Sequence, residues 1–123
     1  MDLQCPHCKR TLRLAQPYPY HAGFGDQGFL YCESDPTIVT FGAYGHPYRQ
    51  LVGAVLPWDL DADQRRRVEE ALLPCPCGGR FTFRAEPRCP SCGASLRNAL
   101  PGDIYYVILG RHVDGEREMI WKS

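Results

Sequence analysis

Two pairs of closely spaced cysteines constrain the fold of this chain more than any other feature. Cys75 and Cys77 form one pair, and Cys89 and Cys92 form the other. A glycine follows each pair and lets the backbone turn tightly around the sulfur atoms. Four thiolates spaced in this way can surround one Zn²⁺ tetrahedrally. The spacing therefore predicts one structural Zn²⁺ held by Cys75, Cys77, Cys89 and Cys92, with a short hairpin around residues 81–83 between the pairs.

Disulfides or buried free thiols are the alternative interpretation of these pairs. Two cysteines separated by a single residue form a strained disulfide. The chain has seven cysteines, which is an odd number, and no apolar run follows Met1 as a signal peptide would. No stretch is long and apolar enough to span a membrane. These features predict a cytoplasmic protein with reduced thiols and disfavour a disulfide framework.

Residues 75–93 resemble a zinc ribbon. The segment Cys89-Pro-Ser-Cys92-Gly93 is similar to the metal-binding knuckle of rubredoxin-like proteins, whereas Cys75-x-Cys77 is one residue shorter than the usual spacing. The resemblance implies a metal and a small fold, and it implies no single activity. The chain as a whole also resembles an uncharacterised bacterial family, which adds no function.

A second metal site is predicted from the N-terminal half. Cys5-Pro-His-Cys8 has the two-residue spacing of a metal-binding turn, and the next cysteine is Cys32. Asp35 follows Cys32 at the same spacing that separates Cys8 from Cys5, and a carboxylate is an acceptable zinc ligand. We therefore predict a second Zn²⁺ held by Cys5, Cys8, Cys32 and Asp35. The alternative role of Asp35 is to start a turn before the following proline.

The fourth ligand of this N-terminal site has rivals. His21 and His46 lie in segments rich in glycine and proline and could fold back onto the metal. His7 lies inside the first turn, where it has difficulty reaching a metal held by its neighbours. A water molecule at the fourth position is the remaining option, and only that option makes catalysis plausible.

The composition indicates a loop-rich fold with a thin core. The 123 residues include 12 Gly and 11 Pro, and small folds of this kind commonly need a staple such as a metal. Lys plus Arg and Asp plus Glu each number 14. With seven thiolates and two Zn²⁺ the net charge becomes about −3, whereas nucleic-acid binders normally carry a basic excess.

Strands are predicted on either side of Cys32. Residues 29–32 and 37–44 are rich in β-branched and aromatic residues, and residues 45–48 end the second strand. Residues 23–28 have the Gly-x-Gly-x-x-Gly spacing of dinucleotide-binding loops. Such a loop follows a strand and opens a helix, but here two prolines precede it and a strand follows it. This segment is therefore interpreted as a loop leading into the strand of Cys32.

A helix is predicted at residues 62–73. Asp61 and Gln64 have the spacing of a capping box, and Val68 and Leu72 share one face of the helix. Of three consecutive arginines on the outer face, the first two have glutamates four positions later, which indicates a solvated surface.

The Asp-Gly dipeptide at 114–115 predicts a C-terminal β-hairpin. It separates two strand-like runs, residues 104–113 and 116–122, and Asp-Gly is a strong hairpin signal. A two-residue loop places Ile108 opposite Trp121.

These features predict a small, metal-stapled α+β fold with zinc-ribbon-like knuckles, short antiparallel strands and one helix. The N-terminal knuckle and the glycine-rich strands occupy residues 1–60. The helix, the ribbon and the C-terminal hairpin occupy residues 61–123. We expect the two parts to form one compact unit.

The expected function is that of a zinc protein with structural sites that binds another protein. Motifs for zinc proteases, serine hydrolases and phosphate loops are absent. None of the four histidines has a glutamate two residues later, which excludes the zinc deaminase pattern. We therefore favour a non-enzymatic protein.

Alternative functions stay open at this point. One is a nucleic-acid-binding ribbon that uses four basic side chains, Arg80, Arg84, Arg88 and Arg97. Another is a metalloenzyme with an open N-terminal site, and a third is a redox or metal-handling protein that uses Cys5, Cys8 and Cys32. Iron at the ribbon is disfavoured because Cys75-x-Cys77 departs from the rubredoxin spacing.

Overall fold

The computed structural model describes residues 3–12, 14–15, 27–96, 107–108, 112–115 and 117–122. Within these ranges the strands are β1 (Leu3–Gln4), β2 (Thr11–Leu12), β3 (Leu14–Ala15), β4 (Gln27–Cys32), β5 (Ile38–Gly42), β6 (Phe81–Thr82), β7 (Val107–Ile108) and β8 (His112–Asp114). The α-helices are α1 (His46–Val52) and α2 (Ala62–Ala71), and a 3-10 turn occupies Pro57–Asp59.

A mixed sheet in the order β6-β4-β5-β8 forms the centre of the described fold. β4 and β5 pair antiparallel from Gln27 opposite Gly42 to Tyr31 opposite Ile38. β6 joins the other side of β4 in antiparallel orientation, whereas β8 joins β5 in parallel orientation. Two further antiparallel ribbons, β1 with β2 and β3 with β7, lie outside this sheet. The fold is therefore α+β, as predicted, but its sheet is mixed.

The hydrophobic core is built around β5. The Phe41 ring packs against Tyr48 of α1 and against Trp121, with centroid distances of 5.4 and 5.6 Å. Tyr48 is fully buried, and its hydroxyl donates to the carbonyl of Val55 at 2.5 Å. Gly28 of β4 lies against the same Phe41 ring, because a Cβ at Gly28 would be 2.5 Å from its atoms. This close packing explains why β4 has a glycine at that position, while residues 23–26 of the loop lie outside the described part.

The described residues contain two α-helices where the sequence predicted one. Residues 45–48 were expected only to end a strand, yet α1 begins at His46 with Pro47 in its first turn. A proline is compatible with this position because the first amides of a helix have no intrahelical acceptor. α2 begins as predicted, and both hydrogen bonds of the Asp61–Gln64 capping box are present.

The charged residues of α2 pair differently from the prediction. Arg66 and Arg67 contact Asp63, in the first turn of the same helix, rather than glutamates in the last turn. Glu69 instead accepts a hydrogen bond from the amide of Phe83 at 3.1 Å. This bond ties α2 to the segment that follows β6.

The predicted C-terminal hairpin is wrong. β8 pairs in parallel with β5, Trp121 forms a bridge with Leu72, and Ile108 lies opposite Leu14. The Asp114 carbonyl accepts from the amides of residues 117 and 118, which makes a wider turn than a two-residue hairpin loop. The edge of the central sheet therefore captures β8, and this long-range pairing overrides the local Asp-Gly signal.

The central sheet joins the two predicted halves of the chain. β4 and β5 come from residues 1–60, whereas β6 and β8 come from residues 61–123. None of the helices in the described ranges is long and apolar enough to cross a membrane.

Candidate metal centres

Two clusters of side chains bring together all eight residues that the sequence analysis selected. Site A consists of Cys5, Cys8, Cys89 and Cys92, and site B consists of Cys32, Asp35, Cys75 and Cys77. Within each cluster the sulfur and oxygen donors all lie within 4.8 Å of one another, so each cluster could hold a metal ion.

The structure corrects the predicted pairing of the four metal-binding turns. Residues 75–77 and 89–92 were expected to share one metal, and residues 5–8 and 32–35 the other. Instead the outer two turns form site A and the inner two form site B. Cys5, Cys8 and Cys32 therefore do not form one cluster, and the metal-handling site proposed from those three cysteines is wrong.

The pairing of β4 with β6 explains this nested arrangement. Cys32 lies opposite Phe81, and the amide of Glu33 donates to the carbonyl of Arg80 at 2.9 Å. The turn after β4 therefore lies against the turn before β6. β6 pairs with β4 rather than within a ribbon hairpin, so residues 75–77 face Cys32 instead of residues 89–92.

The two turns of site A have the same backbone hydrogen bonds. In the first, Lys9 N donates to Cys5 O and Cys5 N donates to Arg10 O, both at 2.9 Å. Residues 89–94 repeat both bonds at equivalent positions, at 2.8 and 3.0 Å. Two equal turns that face each other can present their four sulfur atoms around a common centre.

Lys9 and Gly93 occupy equivalent left-handed positions in these turns, with φ of 65° and 76°. Lys9 is the one non-glycine residue with positive φ in the described part of the chain. A side chain in this conformation costs about 1–2 kcal/mol, so the first turn carries local strain that the second avoids.

Asp35 completes the third turn by a different set of bonds. Cys32 N donates to Thr37 O at 2.9 Å, as in site A, but Pro36 has no amide with which to bond Cys32 O. The Asp35 Oδ1 instead accepts from Thr37 N at 2.9 Å and lies 3.5 Å from the Cys75 sulfur. Asp35 therefore starts a turn and also faces the thiols of site B.

The fourth turn is shorter by one residue. Gly78 N donates to Cys75 O at 2.8 Å, and Cys75 N donates to Gly79 O at 2.9 Å. Gly78 has φ of 94°. A Cβ at Gly79 would lie 3.0 Å from the Cys32 sulfur, so a glycine here permits the close approach of the two turns of site B.

The seven cysteines are all free thiols. Sulfur–sulfur distances are 3.7 Å for Cys5 with Cys92 and for Cys8 with Cys89, and 3.5 Å for Cys32 with Cys77. A disulfide bond is much shorter, at about 2.05 Å. The thiols therefore contact one another without being bonded.

Backbone amides point at several of the sulfur atoms. The amides of Ser34, Gly79 and Ser91 lie 3.3–3.4 Å from the sulfurs of Cys32, Cys77 and Cys89, respectively. Amide donors of this kind stabilise thiolates more than thiols. They also orient these three sulfur atoms.

The thiols of site A have divergent pKa values. Hydrogen bonds from the amides of Cys8 and His7 outweigh burial and lower the pKa of Cys5 from 9.0 to about 6. An amide hydrogen bond from Ala94 lowers the pKa of Cys92, but burial and hydrogen bonds with the neighbouring thiols raise it by more. The net pKa of Cys92 is about 11, above the ordinary value of 9.0. One thiolate therefore forms readily in site A, and its charge keeps a neighbouring thiol protonated.

Burial dominates the thiols of site B. It raises the pKa of Cys32 to about 12 and also raises the pKa of Cys75. Burial also raises the pKa of Asp35, but hydrogen bonds from Thr37 and from two thiols more than compensate, and the net pKa is below its usual value. A metal ion at site B would meet one carboxylate and would have to displace protons from buried thiols.

Arg88 connects the two sites, and the sequence analysis missed this role. Its guanidinium donates from Nη1 to the carbonyl of Gly93 at 2.9 Å and from Nη2 to the carbonyl of Glu33 at 3.2 Å. Gly93 follows the last cysteine of site A, and Glu33 follows the first cysteine of site B. No local sequence signal marks such a contact, because the two carbonyls are far apart in the chain.

Neither of the histidine candidates that the structure describes is in a cluster. His7 and His46 are exposed and belong to neither site, and His21 lies outside the described residues. Of the candidates for the fourth ligand that the structure describes, Asp35 is the one that lies beside three thiols, those of site B.

Comparison with protein-family models matches residues 1–98 to a domain of unknown function (DUF8255). The chain belongs to the DUF8255 family. The match contains every residue of sites A and B, and it does not identify a zinc-ribbon family. No curated protein and no solved structure matches the chain. The DUF8255 match ends before β8, so one strand of the central sheet lies beyond the matched region.

The role of Asp35 gives a direct prediction for the DUF8255 domain. Asp35→Cys should keep both sites loaded, because a thiolate replaces the carboxylate at the same position in the turn. Asp35→Ala should lower the metal affinity of site B at least tenfold and leave site A unchanged, since loss of a ligand weakens one site only. Metal competition with a chromogenic chelator measures both affinities, and His46→Ala is the matched control. Equal affinities for wild type and Asp35→Ala would contradict this role.

Proposed function

We propose that this protein binds two structural Zn²⁺ ions and acts as a non-enzymatic, cytoplasmic module that binds another protein. The observation that carries this proposal is the grouping of eight donor side chains into two sets of four. Four thiolates at site A, and three thiolates with one carboxylate at site B, are sets that tetrahedral zinc accepts.

The spacing of the sulfur atoms suits a tetrahedral zinc ion. A Zn–S distance of about 2.3 Å gives a sulfur–sulfur edge of roughly 3.8 Å. Two sulfur pairs at site A are 3.7 Å apart, and the Cys32 and Cys77 sulfurs of site B are 3.5 Å apart. Little rearrangement is needed for either cluster to surround an ion.

Four protein donors at each site favour a structural role for the metal. Catalytic zinc usually has three protein ligands and leaves one position for water or substrate. Each cluster instead offers four donors, and two of the four are buried cysteines. The zinc would act as a staple that holds distant segments together, which suits a fold with a thin core.

A protein partner suits the surface better than a nucleic acid. The loaded protein would carry a net charge of about −3, and Arg88 already binds two backbone carbonyls. Of the other arginines considered for nucleic-acid binding, Arg80 and Arg84 are exposed, and residue 97 lies outside the described part. Exposed side chains of Tyr44 and Met119, at 65% and 79%, offer apolar contact area for a protein.

Iron at site A is the second candidate. The spacing argument against iron applied to Cys75-x-Cys77, which belongs to site B. Both turns of site A have the two-residue spacing of rubredoxin-like knuckles, and four thiolates can hold iron as well as zinc. Such a centre would transfer electrons instead of only stabilising the fold.

We predict that the purified protein contains two zinc ions per chain and that strong chelation unfolds it. Metal-binding energy is folding energy in such sites, so removal of both ions should abolish the cooperative thermal transition. Native mass spectrometry and circular dichroism measure the two effects. Visible absorption of a ferric thiolate centre would favour iron, and a stable, fully folded metal-free protein would contradict a structural role.

We also predict weak binding to nucleic acid. At roughly physiological salt, single-stranded and duplex oligonucleotides should bind no more tightly than the non-specific range of about 10⁻⁴–10⁻⁶ M. Fluorescence anisotropy with the zinc-loaded protein measures this. Nanomolar binding that weakens in Arg80→Ala/Arg84→Ala, but not in the control Arg49→Ala, would favour the nucleic-acid function.

A further inference from the structure

We infer that Arg88 couples the two metal sites, so that a metal ion at either site raises the affinity of the other. The inference rests on the proposal that both sites bind zinc. It assigns Arg88 a positioning role between the sites, because its side chain contacts backbone of both turns and contributes no ligand atom.

The backbone of Arg88 belongs to site A. Arg88 precedes Cys89 and pairs with Ser95 across the base of the metal-binding turn. Neighbouring hydrogen bonds, Leu96 N to Pro87 O at 2.8 Å and Cys89 N to Ala94 O at 3.0 Å, extend this short ladder. A metal ion that fixes the turn at 89–92 therefore also fixes the point from which the Arg88 side chain extends.

The Arg88 side chain reaches into the turn of site B. Its Nη1 holds the Gly93 carbonyl of site A, and its Nη2 holds the Glu33 carbonyl, between Cys32 and Asp35. The planar guanidinium has N–H donors that point in two fixed directions, towards the two carbonyls. A lysine ammonium is compact and its donors rotate, so it cannot hold both carbonyls in the same fixed geometry. One side chain thus restrains one turn of each site.

The environment of Arg88 favours both contacts. Its Nε is buried and has no hydrogen-bond partner, and no carboxylate among the described residues pairs with it. The bond to the Gly93 carbonyl is partly buried, so its loss would leave a second buried donor unsatisfied, which is unfavourable for a partly buried cation. The bond to the Glu33 carbonyl is exposed and holds the other end of the guanidinium on the turn of site B. Ordering of one turn by metal therefore favours the ordered state of the other.

The charge of Arg88 supports the same coupling. Four thiolates around Zn²⁺ carry a net charge of −2, and three thiolates with a carboxylate carry the same charge. Two loaded sites therefore repel each other, and a cation bound to both turns reduces this repulsion. The coupling should raise each affinity by a factor on the order of ten, and by linkage the factor is the same in both directions.

The experiment titrates the metal-free full chain with Zn²⁺ under reducing conditions and counts bound ions by native mass spectrometry. With one zinc ion added per chain, two equal independent sites would leave about half of the chains with one bound zinc. In wild type this one-zinc share should be clearly lower. Intrinsically unequal sites would increase that share, so a low value reports cooperativity. Arg88→Met should increase the one-zinc form about twofold, the change expected when a tenfold coupling is lost, and the exposed-arginine control Arg84→Met should behave as wild type.

A second variant keeps the test valid if Arg88→Met does not fold. Arg88→Lys retains the positive charge but loses the two Nη donors that bind the Gly93 and Glu33 carbonyls. It should therefore give a share of the one-zinc form between those of wild type and Arg88→Met. If neither Arg88 variant contains more of the one-zinc form than wild type, the coupling is overturned while the two zinc sites remain. Wild type that never binds a second zinc overturns the proposed function as well as the coupling.

Discussion

The antiparallel pairing of β4 with β6 is the constraint on which both candidate metal sites depend. It places Cys32 opposite Phe81 and brings the turn after β4 against the turn before β6. Once these inner turns have met at site B, the outer turns at 5–8 and 89–92 are left to form site A. The nested order of the sites therefore follows from one strand pairing in the central sheet.

The sites and the hydrophobic core share residues, so they are not separate sources of stability. Cys32 and Cys75 belong to the same buried cluster as Phe41 and Tyr48. Each site joins one turn from residues 1–60 to one from residues 61–123. A metal ion bound at such long sequence separations would restrict the unfolded chain strongly and would compensate for the small amount of apolar surface that the loop-rich fold can bury.

The sequence was sufficient to select the eight side chains that the structure brings together in two clusters, because spacing within a turn is a local property. It was not sufficient to pair the turns, since any two turns of this kind can close around a metal and the partner is chosen by the sheet. The Cys-x-x-Cys pattern shared by residues 5–8 and 89–92 was the one available hint. Local signals also failed at Asp114-Gly115, where the sheet edge captured β8, and at Pro47, which opens a helix instead of only ending a strand.

The central claim is that the turns pair as outer with outer and inner with inner. Native mass spectrometry of two double variants in excess zinc tests it most directly. Cys8→Ser/Cys92→Ser removes two ligands from site A alone, so the account predicts one zinc retained. Cys77→Ser/Cys92→Ser damages both sites, so both zinc ions should be lost or strongly weakened. The reverse result, with one zinc kept by Cys77→Ser/Cys92→Ser and none by Cys8→Ser/Cys92→Ser, would contradict the nested arrangement.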